Sequence, residues 1–450
     1  MKIKTADRDF SKGSMLGNIL RLAGPMILAQ LINVLYNVVD RIYIGRWGEN
    51  ASDALTGLGV CLPIVTVIMA FANLVGTGGA PLFSIERGRK NHRETEMLMG
   101  NSFALLLCIG VAITLLIYIT KRPVLMLLGA SEATLPYADS YLSVYAVGTV
   151  FVMISLGMNA FINAQGFSKT GMLTVLIGAG LNIVLDPICI FALGMGVTGA
   201  ALATVISQAA AAAWTLAFLL GKRTGIRLRL RAMRLGAARV KKIFSLGVSG
   251  FVMGITNSAV TMVCNAVLRN YGGDTYIAVM TIINSVREVI SMPVMGITNS
   301  IQPVLGYNYG AGLMKRVKTG IRDSTMILVL YTLVMWIAVI LLSRQFLGMF
   351  TQDAAIIEAG LRPLHIYFFG FVFMALQFSG QSIFVGLGCA KRAVFFSIFR
   401  KVIIVIPLTI MLPRFFGVHG VFIAEPVSNV IGGSTSFLTM IFTLYRRLEK

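Results

Sequence analysis

Uninterrupted apolar runs of about 20 residues recur from one end of this 450-residue chain to the other. A run of that length crosses hydrocarbon only as a helix, because every backbone N–H and C=O must then find its partner inside the segment. A transmembrane barrel would instead show short stretches of alternating polarity. The expected fold is therefore an all-α membrane protein with about twelve transmembrane helices. The first span is expected near residues 16–44, the fifth and sixth at 171–193 and 196–220, the seventh at 243–268, and the last three at 363–385, 394–415 and 418–442.

Charge is scarce, 13% of residues, yet the net value is +21. In a soluble protein that excess would point to nucleic acid. Here the bases fall in alternate loops: 27 lie in one set, including Lys2, Lys4 and Arg8, and eight in the other, including Arg41 and Arg46. The positive-inside rule then places both termini in the cytoplasm of a multi-pass cell (inner or plasma) membrane protein that binds no nucleic acid. The basic N-terminus leads into a full-length span with no small-residue cleavage pattern, so no removable signal is expected. The five cysteines lie in or beside apolar spans without C-x-x-C spacing, which argues for packing rather than disulfide, zinc or redox roles.

The chain also repeats itself at an offset of about 222 residues. G-V-T-G-A-A-L-A-T-V-I-S-Q from Gly196 falls on G-V-H-G-V-F-I-A-E-P-V-S-N from Gly417, and A-Q-G-F-S-K falls on G-L-G-C-A-K. I-L-R-L-A-G-P falls on I-F-S-L-G-V-S, and Trp47 with Gly48 on Tyr271 with Gly272. Six spans per half is an even number, so two six-helix lobes would be related by a pseudo-two-fold axis along the membrane normal. The expected divisions are 1–220 for the first lobe, 221–242 for a basic cytoplasmic linker and 243–450 for the second lobe. The linker carries no acid. It reads either as an amphipathic segment lying on anionic lipid or as a solvated stretch carrying topology charge.

Between Lys169 and Lys222 the single formal charge is Asp186. A lone acid in hydrocarbon costs at least a few kcal/mol, so it is expected to face a cavity or a partner. Asp40 lies 19 residues beyond Arg21, Asp186 lies 17 beyond Lys169, and Thr204 lies 18 before Lys222. At 1.5 Å per residue all three sit roughly 25 to 28 Å from those bases, in one layer of the bilayer. Tyr36 with Asp40, and Asn182 with Asp186, are i,i+4 pairs, each offering a carboxylate beside a neutral hydrogen-bonding group on one helix face. Pro187 frees a carbonyl one turn back and invites a kink. Such a cluster can hold a proton, since burial beside a like charge favours the neutral acid. Equally it can hold a hard cation such as sodium, through oxygens of Asp40, Asp186, Asn182 and Thr204. The plainer alternatives are an Asp40–Arg41 surface ion pair and a structural Asp186.

In the second half similar offsets bring Asp40 near Cys264, Asp186 near Leu408 beside Pro407, and Thr204 onto Glu425. Glu425 is either a receiver of a cationic substrate or one member of a buried ion pair, with Arg287, Arg400 and Lys401 as partners. Glu425, Glu288 and Gln165 are the candidate substrate-cavity residues. The 24 Met and 27 Phe suit a cavity for flat apolar cations, and equally suit lipid-facing packing. No P-loop, H-E-x-x-H, paired Cys/His spacing or serine nucleophile elbow appears, so no enzyme and no cofactor is expected.

G-P-M-I-L-A-Q with N-V-V-D-R-I-Y-I-G in the first span, N-A-Q-G near Asn163, and L-N-I-V-L-D-P-I-C-I-F before G-V-T-G-A-A-L-A-T resemble the multidrug and toxic compound extrusion (MATE) family over essentially the whole chain. The pattern is most similar to the prokaryotic branch whose coupling acids lie in the N-terminal half. That resemblance implies secondary active export of cationic, amphipathic drugs by alternating access, in exchange for protons or sodium. It implies a coupling site of Tyr36, Asp40, Asn159, Asn182, Asp186 and Thr204, bending of the first span near Pro25, and a monomer in the lipid bilayer. Two other expectations remain beside it: a lipid-linked saccharide flippase of the same superfamily, or a non-transport membrane protein with structural aspartates.

Overall fold

The computed structural model describes residues 9–44 and 51–449. Lys2, Lys4, Arg8, Arg46, Trp47 and Gly48, used above for topology and repeat, lie outside the described residues, as does the side chain of Arg41. The described residues contain no strand. The helices of the first half are α1 (Met15–Ile44), α2 (Ala51–Gly88), α3 (His92–Leu127), α4 (Leu135–Ala164), α5 (Ser168–Pro187) and α6 (Gly196–Leu220). The second half begins with α7 (Ala237–Tyr271), α8 (Gly273–Gly310), α9 (Met314–Leu341), a short α10 (Ser343–Gly348), α11 (Ala354–Phe368) and α12 (Phe371–Gly386). It ends with α13 (Ala390–Ile398), a π-helical stretch Phe399–Val405, α14 (Ile406–Met411), α15 (Pro413–Phe416) and α16 (His419–Thr443).

Eleven helices among the described residues are long and apolar enough to cross a bilayer, and α11 with α12, bent by 45°, make a twelfth span. Their outward faces are apolar: Leu115, Leu116 and Ile119 on α3 and Val334, Ile337 and Leu341 on α9 are all exposed. Large exposed aliphatics in rows of this kind are what a lipid solvent requires.

Two compact units result. One contains Gly24–Gly247; the other contains Phe10–Ala23 and the chain from Val248 onward. α1 thus starts in the second unit and passes into the first at Gly24 and Pro25, and α7 starts in the first and passes into the second. Helices in lipid lack a hydrophobic drive to associate and instead approach closely through small residues. In the first unit a Cβ on Gly157 would lie 2.6 Å from Leu106, and one on Gly76 would lie 3.1 Å from the Gly157 carbonyl, so α2, α3 and α4 meet on glycine. In the second unit a Cβ on Gly433 would stand 2.2 Å from the Phe373 carbonyl, which brings α12 against α16. The core there is aromatic and aliphatic, with Phe368, Phe371, Phe422, Ile283 and Val286 buried together.

The stretch 221–242 packs with the first unit rather than standing apart. In I-R-L-R-L-R from Ile226, Ile226 and Leu228 are buried while Arg227 and Arg229 are exposed, a period-two pattern proper to extended chain. Two side chains hold its backbone. Gln165 accepts from Ile226 N at 2.8 Å and from Thr224 Oγ1 at 2.7 Å, and donates to the Ile226 carbonyl at 3.2 Å. Asn101 donates to the carbonyls of Ala232 and Arg234, both at 3.0 Å, and accepts from Gly236 N at 2.8 Å. Arg239 closes the seam with a two-pronged pair to Glu94 at 2.9 and 2.8 Å. The segment is thus anchored on the first unit through Ile226 and Leu228, while Leu230, the next apolar residue of the row, is 79% exposed. Asn101→Ala removes three hydrogen bonds, about 2 kcal/mol of local docking. Limited trypsinolysis of that variant is expected to cut between Arg227 and Arg234 roughly thirtyfold faster than in the parent protein, since cleavage follows the population of the locally open form.

Candidate coupling site

The first unit assembles its polar layer from four helices. Tyr36 and Asp40 come from one face of α1, Asn182 and Asp186 from one face of α5, Thr204 from α6 and Asn159 from α4. Asp186 is fully buried, Asn182 is 1% exposed and Thr204 5%. Asn182 Nδ2 donates to Asp186 Oδ1 at 3.2 Å and to Thr204 Oγ1 at 3.3 Å, while Thr204 donates back to the Ala200 carbonyl at 3.0 Å. The Tyr36 hydroxyl lies beside Thr204, within electrostatic reach of both Asp40 and Asp186. Asp40 and Asp186 lie close enough for each carboxyl to bear electrostatically on the other. All six residues expected here are thus in one unit, and Asn182, Asp186 and Thr204 are joined by hydrogen bonds.

A cavity of about 480 Å³, its open mouth included, adjoins the cluster and is lined by Asn33, Tyr36, Asn159, Asn182, Thr204 and Gln208 among others. The walls are wide enough partly because Gly178 and Ala179 present no side-chain bulk there. Several oxygens are buried without a hydrogen-bond partner among the described residues: Asn182 Oδ1 and Asn159 Oδ1 of the lining, and Asp186 Oδ2 beside it. Asn159 spends its amide on the Gly171 carbonyl at 3.1 Å. Pro187 ends α5, and the following turn Ile188–Ala192 is π-helical, a widening that is common where a helix serves function. The kink expected at Pro187 therefore takes the form of a widened turn directly after Asp186.

Ser155, Ser207 and Gln208 belong to the chamber and were not among the expected residues. Ser155 Oγ donates to Gln208 Oε1 at 2.7 Å. The signal was present: Thr204, Ser207, Gln208 and Ala211 follow i, i+3, i+4, i+7 spacing, the single face of a helix. Tyr141 and Tyr145, again i,i+4, stack with centroids 5.7 Å apart, and Tyr145 lies close enough for its charge state to bear on Tyr36.

The candidate substrate-cavity residues fall elsewhere. Gln165, expected at a cavity, is 1% exposed and has its amide committed to the 221–242 segment. Glu288 is exposed on α8. Glu425 is buried in the second unit, where Arg400 Nη2 lies 3.2 Å, Lys401 Nζ 3.1 Å and Arg287 Nη1 3.5 Å from its Oε1. No group of three or more His, Cys, Asp or Glu gathers as a metal centre among the described residues.

A doubled set of six spans, with acids beside a polar-lined cavity inside one set, defines a membrane transporter rather than an enzyme. The sequence profile of the MatE family matches this chain twice, at residues 25–188 and 250–411. The chain belongs to that family, the MATE transporters. It is 27% identical over 439 residues to the multidrug export protein MepA of Staphylococcus saprophyticus, covering 98% of this chain and 96% of the relative. With MepA of Staphylococcus aureus it shares 26% over 412 residues, 92% of this chain and 90% of the relative. Two solved structures share the fold: a MATE transporter in the bent conformation, with TM-score 0.93, 23% identity and coverage of 100% and 99%, and an outward-facing multidrug resistance MATE transporter, with TM-score 0.91, 24% identity and 98% of each chain. The double match at nearly constant offset accounts for the repeat read in the sequence.

Proposed function

We propose that this protein is a secondary active multidrug exporter that expels amphipathic organic cations in exchange for protons entering through the first unit. The observation that carries the reading is the approach of two carboxyls, Asp40 and Asp186, inside a buried layer beside a cavity. Two carboxyls held this close in a desolvated place favour a state in which one of them carries a proton, so the pair is a natural one-proton store. Loss of that proton leaves two like charges in a desolvated place, a strain relieved by separating α1 from α5 or by taking up a new proton. Either response changes the shape of the cavity wall that Tyr36 and Asn182 form. Gly24 and Pro25, where α1 passes between units, are the place on that helix where such a change costs least. Orientation follows the basic loops, with both termini cytoplasmic, a monomer in the cell membrane and no cofactor beyond the coupling ion.

Sodium is the second reading, and the donor-free oxygens of Asp186, Asn182 and Asn159 favour it. Acceptor oxygens gathered without donors are ligands a hard cation takes. The relatives' names supply multidrug export as the substrate class. Dye efflux from proteoliposomes under separately imposed gradients divides the two: the proton reading expects export with a pH gradient alone, the sodium reading export with a sodium gradient alone. Export indifferent to both would remove antiport from the account.

A further inference from the structure

We propose that the second unit holds a binding site for an oxyanion, a carboxylate or phosphate group, built by Arg287, Arg400 and Lys401 around Glu425.

Three bases surround one acid. Glu425 Oε1 accepts from Arg400 Nη2 at 3.2 Å, Lys401 Nζ at 3.1 Å and Arg287 Nη1 at 3.5 Å, and Oε2 accepts from Lys401 Nζ at 3.3 Å. With three bases already within reach of its two oxygens, Glu425 is a poor receiver for a cationic visitor. The bases are not saturated. Two guanidinium groups and an ammonium supply far more N–H groups than one carboxylate can receive, and Arg400 Nε is buried with no partner among the described residues. Arg400 Nη1 is already committed to Asn429 Oδ1. Glu288 bears on Arg287 electrostatically but is itself exposed, so the cluster keeps an excess of positive charge inside a membrane unit. Holding uncompensated charge in a desolvated place is costly, and an incoming anion removes that cost.

The site is reachable from one side. The Arg287 side chain is 29% exposed, against 6% for Arg400 and 4% for Lys401. Arg287 also stands 6.0 Å over the Tyr367 ring, which helps hold its guanidinium in place. Backbone geometry supports the arrangement. Arg400 and Lys401 sit on the π-helical stretch Phe399–Val405, and Gly432 clears space for Arg400, since a Cβ there would lie 2.9 Å from Arg400 Cγ. By the 222-residue offset these two bases replace Gly178 and Ala179, which line the cavity of the first unit. Where the first half leaves empty space beside acids, the second half fills the equivalent place with bases. Guanidinium forks suit planar oxyanions because two parallel N–H bonds meet two oxygens.

The test is binding without any gradient, so it is independent of the export reading. Thermal unfolding of the purified full chain in neutral detergent is followed with inorganic phosphate, with benzoate, and with chloride at matched ionic strength. The same measurement is made in nanodiscs of phosphatidylglycerol and of phosphatidylcholine. The expected result is a midpoint several degrees higher with an oxyanion than with chloride, lost in Arg287→Gln and partly kept in Arg287→Lys. Stabilisation by phosphatidylglycerol alone would assign the oxyanion to a lipid headgroup; stabilisation by the soluble anions would assign it to a solute. The same midpoint in every anion and lipid, or an undiminished oxyanion shift in Arg287→Gln, would overturn the site. Arg287→Gln leaves Glu425 paired with Arg400 and Lys401, so this variant is expected to fold.

Discussion

Replacing Asp186 by Asn is expected to reduce gradient-driven dye efflux to the leak of protein-free liposomes while the protein folds normally. The amide is nearly isosteric with the carboxyl and can still meet Asn182, which lies 3.2 Å from Oδ1. What it cannot do is take up and release a proton, or present a charge to Asp40 or to a cation. Because an ionised carboxyl in this fully buried position is a cost in the resting protein, the melting temperature is expected to stay level or rise. Efflux and melting measured on the same preparation separate the two roles. If Asp186→Asn exported dye at the parental rate, the paired-acid mechanism would be lost, whereas a variant that lost both export and folding would mark Asp186 as structural.

Glu425→Gln is expected to have the largest effect on stability. Removing the one carboxylate leaves Arg287, Arg400 and Lys401 facing one another around a neutral amide, and breaking a buried pair in this way costs about 3–5 kcal/mol. Thermal unfolding and monodispersity on size exclusion should both report it, with Glu425→Asp intermediate because the shorter acid keeps the charge but not the reach. An unaltered melting curve for Glu425→Gln would mean that the three bases do not depend on that acid. The contrast between the two substitutions is informative in itself: neutralising a buried acid in the first unit relieves repulsion, and doing the same in the second creates it.

The features legible in the sequence were those set by local period or by solvent. Hydropathy over about 20 residues located the spans, because a bilayer imposes its thickness on every crossing segment. Asp40, Asn182, Asp186 and Thr204 could be placed in one layer because helix rise is constant along each span. Bounds differed where the chain extends past hydrocarbon: α7 begins at Ala237, before the expected 243, and α11 with α12 cover more than 363–385. The π-helical turns at Ile188–Ala192 and Phe399–Val405 carry no residue pattern of their own, although Pro187 marked the first. Least legible was the docking of 221–242. It depends on Asn101 and Gln165, each bonded to backbone about 60 to 130 residues away, and a lone buried amide on an apolar helix announces no partner. Its alternating arginines were read as charge, when the intervening Ile226 and Leu228 were the informative half.

The unit boundaries carry an evolutionary reading. The opening segment Phe10–Ala23 is tied to the second unit, where Arg316 donates to the Gly13 carbonyl and Asn308 to that of Phe10, both at 3.0 Å, and the start of α7 is tied to the first. Each half therefore lends its leading turns to its twin. A half-length ancestor folded on this plan would have had to trade that arm with a sister molecule, the reciprocal exchange seen in swapped dimers. Fusing two copies into one polypeptide would then have converted an association that depends on concentration into one that is always satisfied.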